Sequence, residues 1–317
     1  MIRLLATCVS AANGAGHVIR EVAQLGRLGV VDKSVRDYQT EADRRAQRCI
    51  VSTIASRFPN ITIVAEEVLP ASEEDLTLIV NEVNEDVLKE QCPHDFSTVQ
   101  EKDIVLWVDP LDGTNEFIQG LYEYVTVLIG IAVNGRPVGG VVHQPFWSST
   151  GDSNQFPSTS GRTVWGLVGL GVRGVSPMVQ ERPSTGCTLV VTWPPYSDED
   201  KLRSTLESIK PAKVTEAGGA EVFHLLEHRA HAHIMVGLKS QRWDVCAGEG
   251  LLRAAGGVAT DIHGNPLSYW ADDACREAIC GFVGSLDVGL HRQILARVPP
   301  SVKETMWLKG SHEHHGL

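Results

Sequence analysis

The sequence predicts an α/β protein made of two halves: an α+β segment over residues 1–183 and an α/β segment over residues 184–317. In the second half, apolar strand-like runs alternate with helical periods, which is typical of a mixed or parallel sheet. In the first half, helical periods precede strands and a hairpin, which is typical of α+β folds. The chain has 317 residues, 43% of them hydrophobic, and is therefore long enough for two domains or one large one.

Two helices are predicted near the N-terminus. Apolar residues recur at about helical spacing over residues 2–25, where we expect a broken amphipathic helix. A second helix is expected over residues 40–58, because apolar residues there recur four apart. The Thr40 hydroxyl stands where an N-cap is needed.

Strands follow in the first half. The β-branched run 61–68 and the apolar run 104–110 predict strands, and each ends in acidic residues. Asn134-Gly135 between two apolar runs predicts a β-hairpin.

The boundary between the halves is predicted at Arg182-Pro183-Ser184, because the pattern changes there. After this boundary, strands and helices alternate along the chain until about residue 262. The predicted order is strand 187–193, helix 198–209, strand 212–217, helix 221–228, strand 232–237, helix 244–255 and strand 258–262.

The charge balance excludes some partners. Against 28 Lys and Arg stand 39 Asp and Glu, a formal net charge of −11, and no basic stripe offers a nucleic-acid polymer a surface. No apolar run reaches the ~18–20 residues that cross a bilayer, and the N-terminus lacks a signal-peptide pattern. Seven cysteines without a CxxC pair favour reduced thiols. We therefore expect a cytoplasmic protein that binds neither membranes nor nucleic-acid polymers, and its oligomeric state stays open.

The segment Asp109-Pro110-Leu111-Asp112-Gly113-Thr114 brings two carboxylates to the end of an apolar strand. Pro110 stiffens the turn, and Gly113 permits close backbone approach. Thr114 starts a helix, whose N-terminus suits a phosphate group. Carboxylate oxygens, with the Leu111 carbonyl, suit Mg²⁺. For an isolated segment of this kind, a helix cap and a turn are the alternative.

Other carboxylates stand near the ends of predicted elements. Glu66 and Glu67 end a strand, Asp244 stands at the expected N-cap of a helix, and Asp43 lies in the first turn of another. Each has an ordinary alternative: a solvated turn for the glutamates, capping for Asp244 and a surface ion pair for Asp43. Taken together, acids from separate element ends are typical of a multi-metal phosphatase.

Ala65-Glu66-Glu67, the segment 109–114 and Trp243-Asp244 resemble signatures of the inositol monophosphatase superfamily, the lithium-sensitive, magnesium-dependent phosphomonoesterases. The resemblance covers nearly the whole chain and is greatest to the bisphosphate nucleotidase branch. It implies the layered α-β-α-β-α sandwich of the inositol monophosphatase and fructose-1,6-bisphosphatase type, with metals between the halves. The stretches that carry it further are 39–44, 125–146, 161–171 and 259–267.

The resemblance also implies roles for individual residues. Asp43 and Thr114 match the pair that orients and deprotonates the attacking water, and Glu66 is counted with them as catalytic. Two or three Mg²⁺ ions would bind, and Li⁺ would inhibit by taking one Mg²⁺ position. The implied metal ligands are Glu66, Asp109, the Leu111 carbonyl, Asp112 and Asp244, with Glu67 as a further candidate.

The implied reaction removes the 3′-phosphate of adenosine 3′,5′-bisphosphate to give AMP and phosphate. The related 3′-phosphoadenosine 5′-phosphosulfate is a second expected substrate. Water attacks directly, since the motif requires no Ser, Cys or His nucleophile. The implied substrate contacts are Gly113, Thr114, Thr192, Gly218, Gly219 and Arg242.

The substrate end departs from the nucleotidase pattern. Residues 193–195 read Trp-Pro-Pro where Arg, Ser and His are expected after Thr192, and Glu221 replaces an expected Lys. A carboxylate there would repel a second phosphate, and Arg242 is the candidate for a compensating cation. An inositol polyphosphate 1-phosphatase, or another inositol phosphate phosphatase, is therefore an open alternative. A non-catalytic metal- or phosphate-binding protein is the rival from another class, but it predicts the loss of an acid or of Thr114, and all are present.

Overall fold

The structure is a computed structural model. It describes residues 1–34, 37–69, 78–148, 161–175, 186–192, 198–217, 221–237, 240–272 and 278–306. The boundary predicted at residues 182–184 lies outside these ranges.

The first layer consists of helices α1 (Ile2–Leu25) and α2 (Glu41–Ala55), which pack against each other and against one face of a sheet. α1 is one continuous helix of 24 residues, so the expectation of a broken helix was wrong. Its glycines permit close packing instead: a Cβ at Gly16 would overlap the ring of His143. Strands β1 (Val31–Ser34) and β2 (Asp37–Gln39) form a separate antiparallel ribbon between the two helices in the chain.

The first sheet is six-stranded, with the order β3-β4-β5-β6-β7-β8. β3 is parallel to β4 and the other neighbours are antiparallel; β5 and β6 form the hairpin predicted at Asn134-Gly135. Alternate residues of β4 face opposite cores, so that Leu106 packs with the first layer and Trp107 with the middle layer. The bounds are β3 (Thr62–Ala65), β4 (Ile104–Asp112), β5 (Thr126–Val133), β6 (Arg136–Gln144), β7 (Arg162–Leu167) and β8 (Gly171–Arg173).

The middle layer contains α6 (Val222–Leu226) and α7 (Arg242–Ala254). α7 lies against strands β4 to β7 of the first sheet, and its apolar residues share one core with residues of both sheets. The short helices α3 (Glu85–Leu88) and α4 (Thr114–Gln119) lie in the connections of the first half. None of the described helices is long and apolar enough to span a membrane.

The second sheet is five-stranded and mixed, with the order β10-β9-β11-β13-β12. β9 is parallel to β10 and β11, and β13 is antiparallel to both of its neighbours. A third core joins its outer face to helices α5 (Glu199–Ile209), α8 (Val288–Arg297) and α9 (Pro300–Glu304). The α-β-α-β-α sandwich is thereby confirmed. The bounds are β9 (Thr188–Thr192), β10 (Lys213–Ala217), β11 (Ala232–Met235), β12 (Val258–Thr260) and β13 (Phe282–Ser285).

Candidate active site

The acidic segment at the end of β4 is built around a local irregularity. Asp109 pairs with Leu128 and Asp112 with Thr126, so three residue steps on β4 oppose two on β5. The backbone N–H of Leu111 donates to Asp109 Oδ1 at 3.0 Å, and the hydroxyl of Thr126 donates to Asp112 Oδ2 at 3.1 Å. Both carboxylates are therefore oriented by their own strand and its neighbour.

Gly113 turns the chain from this strand into α4. Its φ is +87°, a left-handed conformation that side chains disfavour. A Cβ there would also lie 3.1 Å from the carbonyl oxygen of Tyr124. α4 then begins at Thr114 as predicted, and Gly113 is its N-cap, so Asp112 does not cap the helix.

Asp43 is fully buried in the first turn of α2, and the alternative of a surface ion pair is wrong. Its Oδ2 accepts hydrogen bonds from the backbone N–H of Thr40 at 2.8 Å and from the Thr40 hydroxyl. The predicted N-cap role of Thr40 is confirmed, because its hydroxyl oxygen accepts from the N–H of Ala42 at 3.1 Å. Asp43 thus closes a capping box and keeps Oδ1 for other partners.

The hydroxyl of Thr114 connects Asp43 to the acidic segment. It lies 3.0 Å from Asp43 Oδ1 and 3.1 Å from the carbonyl oxygen of Leu111. Asp43 and Thr114 are 71 positions apart in the chain, so only the fold brings them together. Burial raises the pKa of Asp43 to about 6, against the hydrogen bonds from Thr40 that favour its charged form.

Glu66 and Glu67 follow β3, which runs parallel to β4 and ends at the same edge of the sheet. Lys33 on the β1–β2 ribbon donates to both, with Nζ 2.8 Å from Glu66 Oε1 and 3.0 Å from Glu67 Oε1. Gln39 donates to the other oxygen of Glu67 at 2.5 Å, while Gln47 exchanges two hydrogen bonds with its backbone. The solvated-turn alternative is therefore wrong for Glu67, which is buried.

Asp244 comes from α7, in the middle layer between the two sheets. The N-cap of this helix is Gln241, not Asp244 as expected. Asp244 occupies the third helical position and accepts a hydrogen bond from the Gln241 backbone N–H at 2.8 Å. The helix starts two residues earlier than predicted, which turns the expected cap into a capping-box acid.

We call Glu66, Asp109, Asp112 and Asp244 the acidic cluster. Burial raises the pKa of Asp112 to about 7 and that of Glu66 to about 7. Burial also raises the pKa of Asp109 and of Asp244, and in both the charge of Glu66 adds to the rise. These carboxylates are therefore close enough to repel one another in a dry environment, which a bound cation would relieve.

The donor chemistry fits a hard divalent cation, because carboxylate and carbonyl oxygens are the ligands that such ions prefer. As the side chains stand, no three acidic, histidine or cysteine residues of the described ranges converge on one point as a finished metal cage. Several of the oxygens accept hydrogen bonds instead, including one from the Lys33 ammonium to Glu66. Burial opposes the charge of Lys33, yet the neighbouring Glu66 and Glu67 hold its pKa above the usual range.

Only some of the predicted substrate contacts lie among the described residues. Thr192 ends β9, and its hydroxyl donates to Glu221 Oε1 at 2.9 Å. Arg242 is buried at the start of α7 and its Nε donates to the carbonyl of Ser268 at 2.6 Å. Gly218 and Gly219, like the Trp-Pro-Pro residues 193–195, lie outside the described residues.

Sequence reasoning missed Lys33 and His233. Lys33 stands in a short polar stretch that folds as strand β1, and nothing in its spacing points to the glutamates 33 and 34 positions away. His233 looks like an ordinary strand residue, but its Nε2 lies 2.9 Å from the Thr192 hydroxyl. Both contacts depend on tertiary structure.

Comparisons with known proteins agree with this architecture. The model of the inositol monophosphatase family matches residues 3–296. The chain is 38% identical over 309 residues to the 3′(2′),5′-bisphosphate nucleotidase 1 of Homo sapiens, covering 96% of this chain and 97% of the relative. It is 28% identical over 318 residues to the Golgi-resident adenosine 3′,5′-bisphosphate 3′-phosphatase of Mus musculus, covering 95% of this chain and 82% of the relative.

Solved structures share the fold. The extragenic suppressor protein suhB from Bartonella henselae superimposes with a TM-score of 0.66 at 21% identity, covering 93% of this chain and 97% of that one. An IMPase of Thermotoga maritima superimposes with a TM-score of 0.63 at 23% identity, covering 94% and 97%. At these identities the likeness shows the fold alone.

Proposed function

The chain belongs to the inositol monophosphatase family, and we propose that it removes the 3′-phosphate of adenosine 3′,5′-bisphosphate, giving AMP and phosphate. The family is metal-dependent, and for this chain we propose two or three Mg²⁺ ions with Li⁺ as an inhibitor. The nucleotidase relatives, matched over almost their full length, support this substrate class. 3′-Phosphoadenosine 5′-phosphosulfate would be cleaved in the same way.

We assign the metal-binding role to the acidic cluster and the Leu111 carbonyl, with Glu67 as a further candidate. Their buried or partly buried oxygens, drawn from three elements of the fold, suit this role. Divalent cations bound there would neutralise the phosphoryl oxygens and lower the pKa of a water molecule. Gly113 and the N-terminus of α4 would lie beside the phosphate, where the backbone can approach closely.

The observation that carries the proposal is the hydrogen bond between Asp43 and Thr114 at the acidic segment that ends β4. The Thr114 hydroxyl would accept a hydrogen bond from the attacking water while it donates to Asp43 Oδ1. The water's proton then moves through Thr114 to Asp43, as a positioned base requires. Asp43 is kept in place by Thr40 on its other oxygen, so it need not reorganise during the reaction.

A second candidate is an inositol phosphate phosphatase. Glu221 favours it, because a carboxylate next to the acidic cluster disfavours a second phosphate and accepts hydroxyl groups. Thr192 and Arg242 are proposed substrate contacts in either case, together with Gly218 and Gly219.

The test is phosphate release from adenosine 3′,5′-bisphosphate and from inositol 1,4-bisphosphate, side by side, with Mg²⁺ and with or without Li⁺. We expect preference for the nucleotide and inhibition by Li⁺. Preference for the inositol substrate would select the second candidate. No release from either would overturn both.

We also propose how the two halves of the chain divide the work and where the protein acts. Residues 1–183 would form the metal-binding and catalytic domain, and residues 184–317 a domain that adds Asp244 and substrate contacts. The protein would act in the cytoplasm. Its partners would be small phosphorylated molecules rather than membranes or nucleic-acid polymers.

A further inference from the structure

Glu221 is a carboxylate beside the acidic cluster that has no part in the proposed mechanism. It stands directly before α6 and lines, together with Asp244 and His233, a cavity of about 40 Å³ between the two sheets. The remaining lining is mostly apolar, including Leu128, Val142 and Phe282. Among neighbouring charges, Glu221 contributes most to the raised pKa of Asp112, which places it close to the metal-binding side.

The Glu221 carboxylate is held in one orientation. The Thr192 hydroxyl donates to its Oε1 at 2.9 Å, and His233 Nε2 lies 2.9 Å from that hydroxyl oxygen. Because the single proton of Thr192 is given to Glu221, the bond from His233 requires a proton on its Nε2. Burial lowers the pKa of His233 to about 3, so the ring is neutral at ordinary pH and has a single proton to place on Nε2.

This chain of His233, Thr192 and Glu221 places an oriented carboxylate in the lining of the cavity, next to Asp244. Burial raises the pKa of Glu221, while hydrogen bonds from its own backbone and from Thr192 favour the charged form. A phosphate placed beside the charged form would meet a like charge with little solvent to screen it. A hydroxyl group would instead donate a charge-assisted hydrogen bond, which is the stronger kind. Carboxylates fixed in this way are a known means of recognising a ribose hydroxyl.

We propose that Glu221, positioned by Thr192 and His233, determines specificity by accepting a hydrogen bond from the substrate hydroxyl adjacent to the scissile phosphate ester. This inference rests on the proposed function, because it identifies what the same site selects. In adenosine 3′,5′-bisphosphate the adjacent group is the ribose 2′-hydroxyl. The chain would thus select a free hydroxyl beside the phosphate that it removes.

The experiment compares kcat/KM for adenosine 3′,5′-bisphosphate and its 2′-deoxy analogue. The wild-type protein should prefer the ribonucleotide by about 10- to 100-fold, as expected for a hydrogen bond to a charged group. Glu221→Gln should lower this ratio by about fivefold or more. Thr192→Val should lower the ratio in the same direction, because it releases the carboxylate without removing it.

Glu216→Gln is the matched control, since Glu216 is an exposed carboxylate on the neighbouring strand β10. It should leave the ratio at the wild-type value. A ratio unchanged in Glu221→Gln overturns the inference. So does an equal loss for both nucleotides with a higher Mg²⁺ requirement, which would make Glu221 a metal ligand.

A second pair of substrates separates this inference from the proposed function. Inositol 1-phosphate and cyclohexyl phosphate differ in the hydroxyls around the ester. Suppose that only these two compounds are hydrolysed, that the wild-type protein prefers inositol 1-phosphate, and that Glu221→Gln abolishes this preference. The nucleotidase proposal then fails and the role of Glu221 stands. Absence of turnover with all four compounds overturns both.

Discussion

The candidate site has two sides whose side chains are held in place in different ways. The first side, also called the local side, contains Asp43 and residues 109–114, and the second side contains Thr192, Glu221 and His233. On the first side, Asp109 is oriented by Leu111, Thr114 contacts the carbonyl of Leu111, and Asp43 is fixed by Thr40, all within three positions along the chain. On the second side, Thr192 contacts Glu221 and His233 across 29 and 41 positions. Asp109 and Asp43 are therefore each oriented by a short segment, although the contact between Asp43 and Thr114 spans 71 positions. The proposed substrate contacts depend on the packing of the second sheet.

The strongest test of this contrast is the loss of one acid from the local side. Asp109→Asn should reduce kcat/KM by about 10³-fold or more, because several kcal/mol of charge stabilisation depend on a bound cation. Mg²⁺ should raise the Tm of the wild-type protein, and Asp109→Asn should remove this increase. Asp86→Asn, at an exposed acid paired with Lys89, is the control and should change neither. Activity within tenfold of wild type would contradict the assignment of Asp109.

Thr114 tests the catalytic pair without changing the charge of the cluster. Thr114→Val removes the hydroxyl between Asp43 and the Leu111 carbonyl, and kcat should fall by about 10²- to 10³-fold, the range of general base catalysis. Thr114→Ser keeps the hydroxyl and should recover most of the activity. Equal activity of the two variants would show that the Thr114 hydroxyl transfers no proton in the reaction. Steady-state kinetics at saturating Mg²⁺ measure both.

α7 joins the two sides, because it carries Asp244 and packs on β5 and β6. A Cβ at Gly250 would overlap the backbone carbonyl of Gly139, whereas one at Gly248 would meet Val222 at an ordinary 3.5 Å. Gly250→Ala should therefore lower the free energy of unfolding by about 1–3 kcal/mol. Gly248→Ala, on the same helix, should be neutral or stabilise by up to about 1 kcal/mol.

Urea denaturation of the two variants measures this difference. Equal midpoints for Gly250→Ala and Gly248→Ala would mean that the contact between Gly250 and Gly139 does not fix α7 against the first sheet. A loss in Gly250→Ala alone would limit the contrast, since the side with short-range contacts would then depend on long-range packing to receive Asp244.

The same contrast explains what could be predicted from the sequence. The strand over 104–110, the hairpin at Asn134-Gly135 and the segment 109–114 are defined by neighbouring residues, and the structure has them where expected. The helix start at Thr40 is also a local signal. These elements needed no knowledge of the partner strands.

The errors occurred where distant residues decide. α1 is continuous through its glycines, and Gly16 packs against His143, a contact that no local pattern contains. Asp244 was expected as an N-cap, but the helix extends back to Arg242. Glu221 was recognised as a change of charge, while its support by His233 could not be anticipated.

Lys33 connects the β1–β2 ribbon to Glu66 and Glu67 through contacts between residues far apart in the chain. Its ammonium contacts Glu66 and Glu67 and also lies 3.3 Å from Asp37, with the side chain about 25% exposed. A divalent cation that binds Glu66 must compete with this ammonium. Because the pair is partly exposed, the competition is worth on the order of 1 kcal/mol.

Lys33→Met should therefore bind Mg²⁺ a few-fold more tightly, a smaller effect than any of the others. Lys33→Arg keeps the charge and is the control, with affinity close to that of wild type. Calorimetric titration with Mg²⁺ measures the affinity without turnover. Weaker binding in Lys33→Met would reverse the interpretation: Lys33 would then hold Glu66 in place for the metal, and the local side would depend on the β1–β2 ribbon as the other side depends on its sheet.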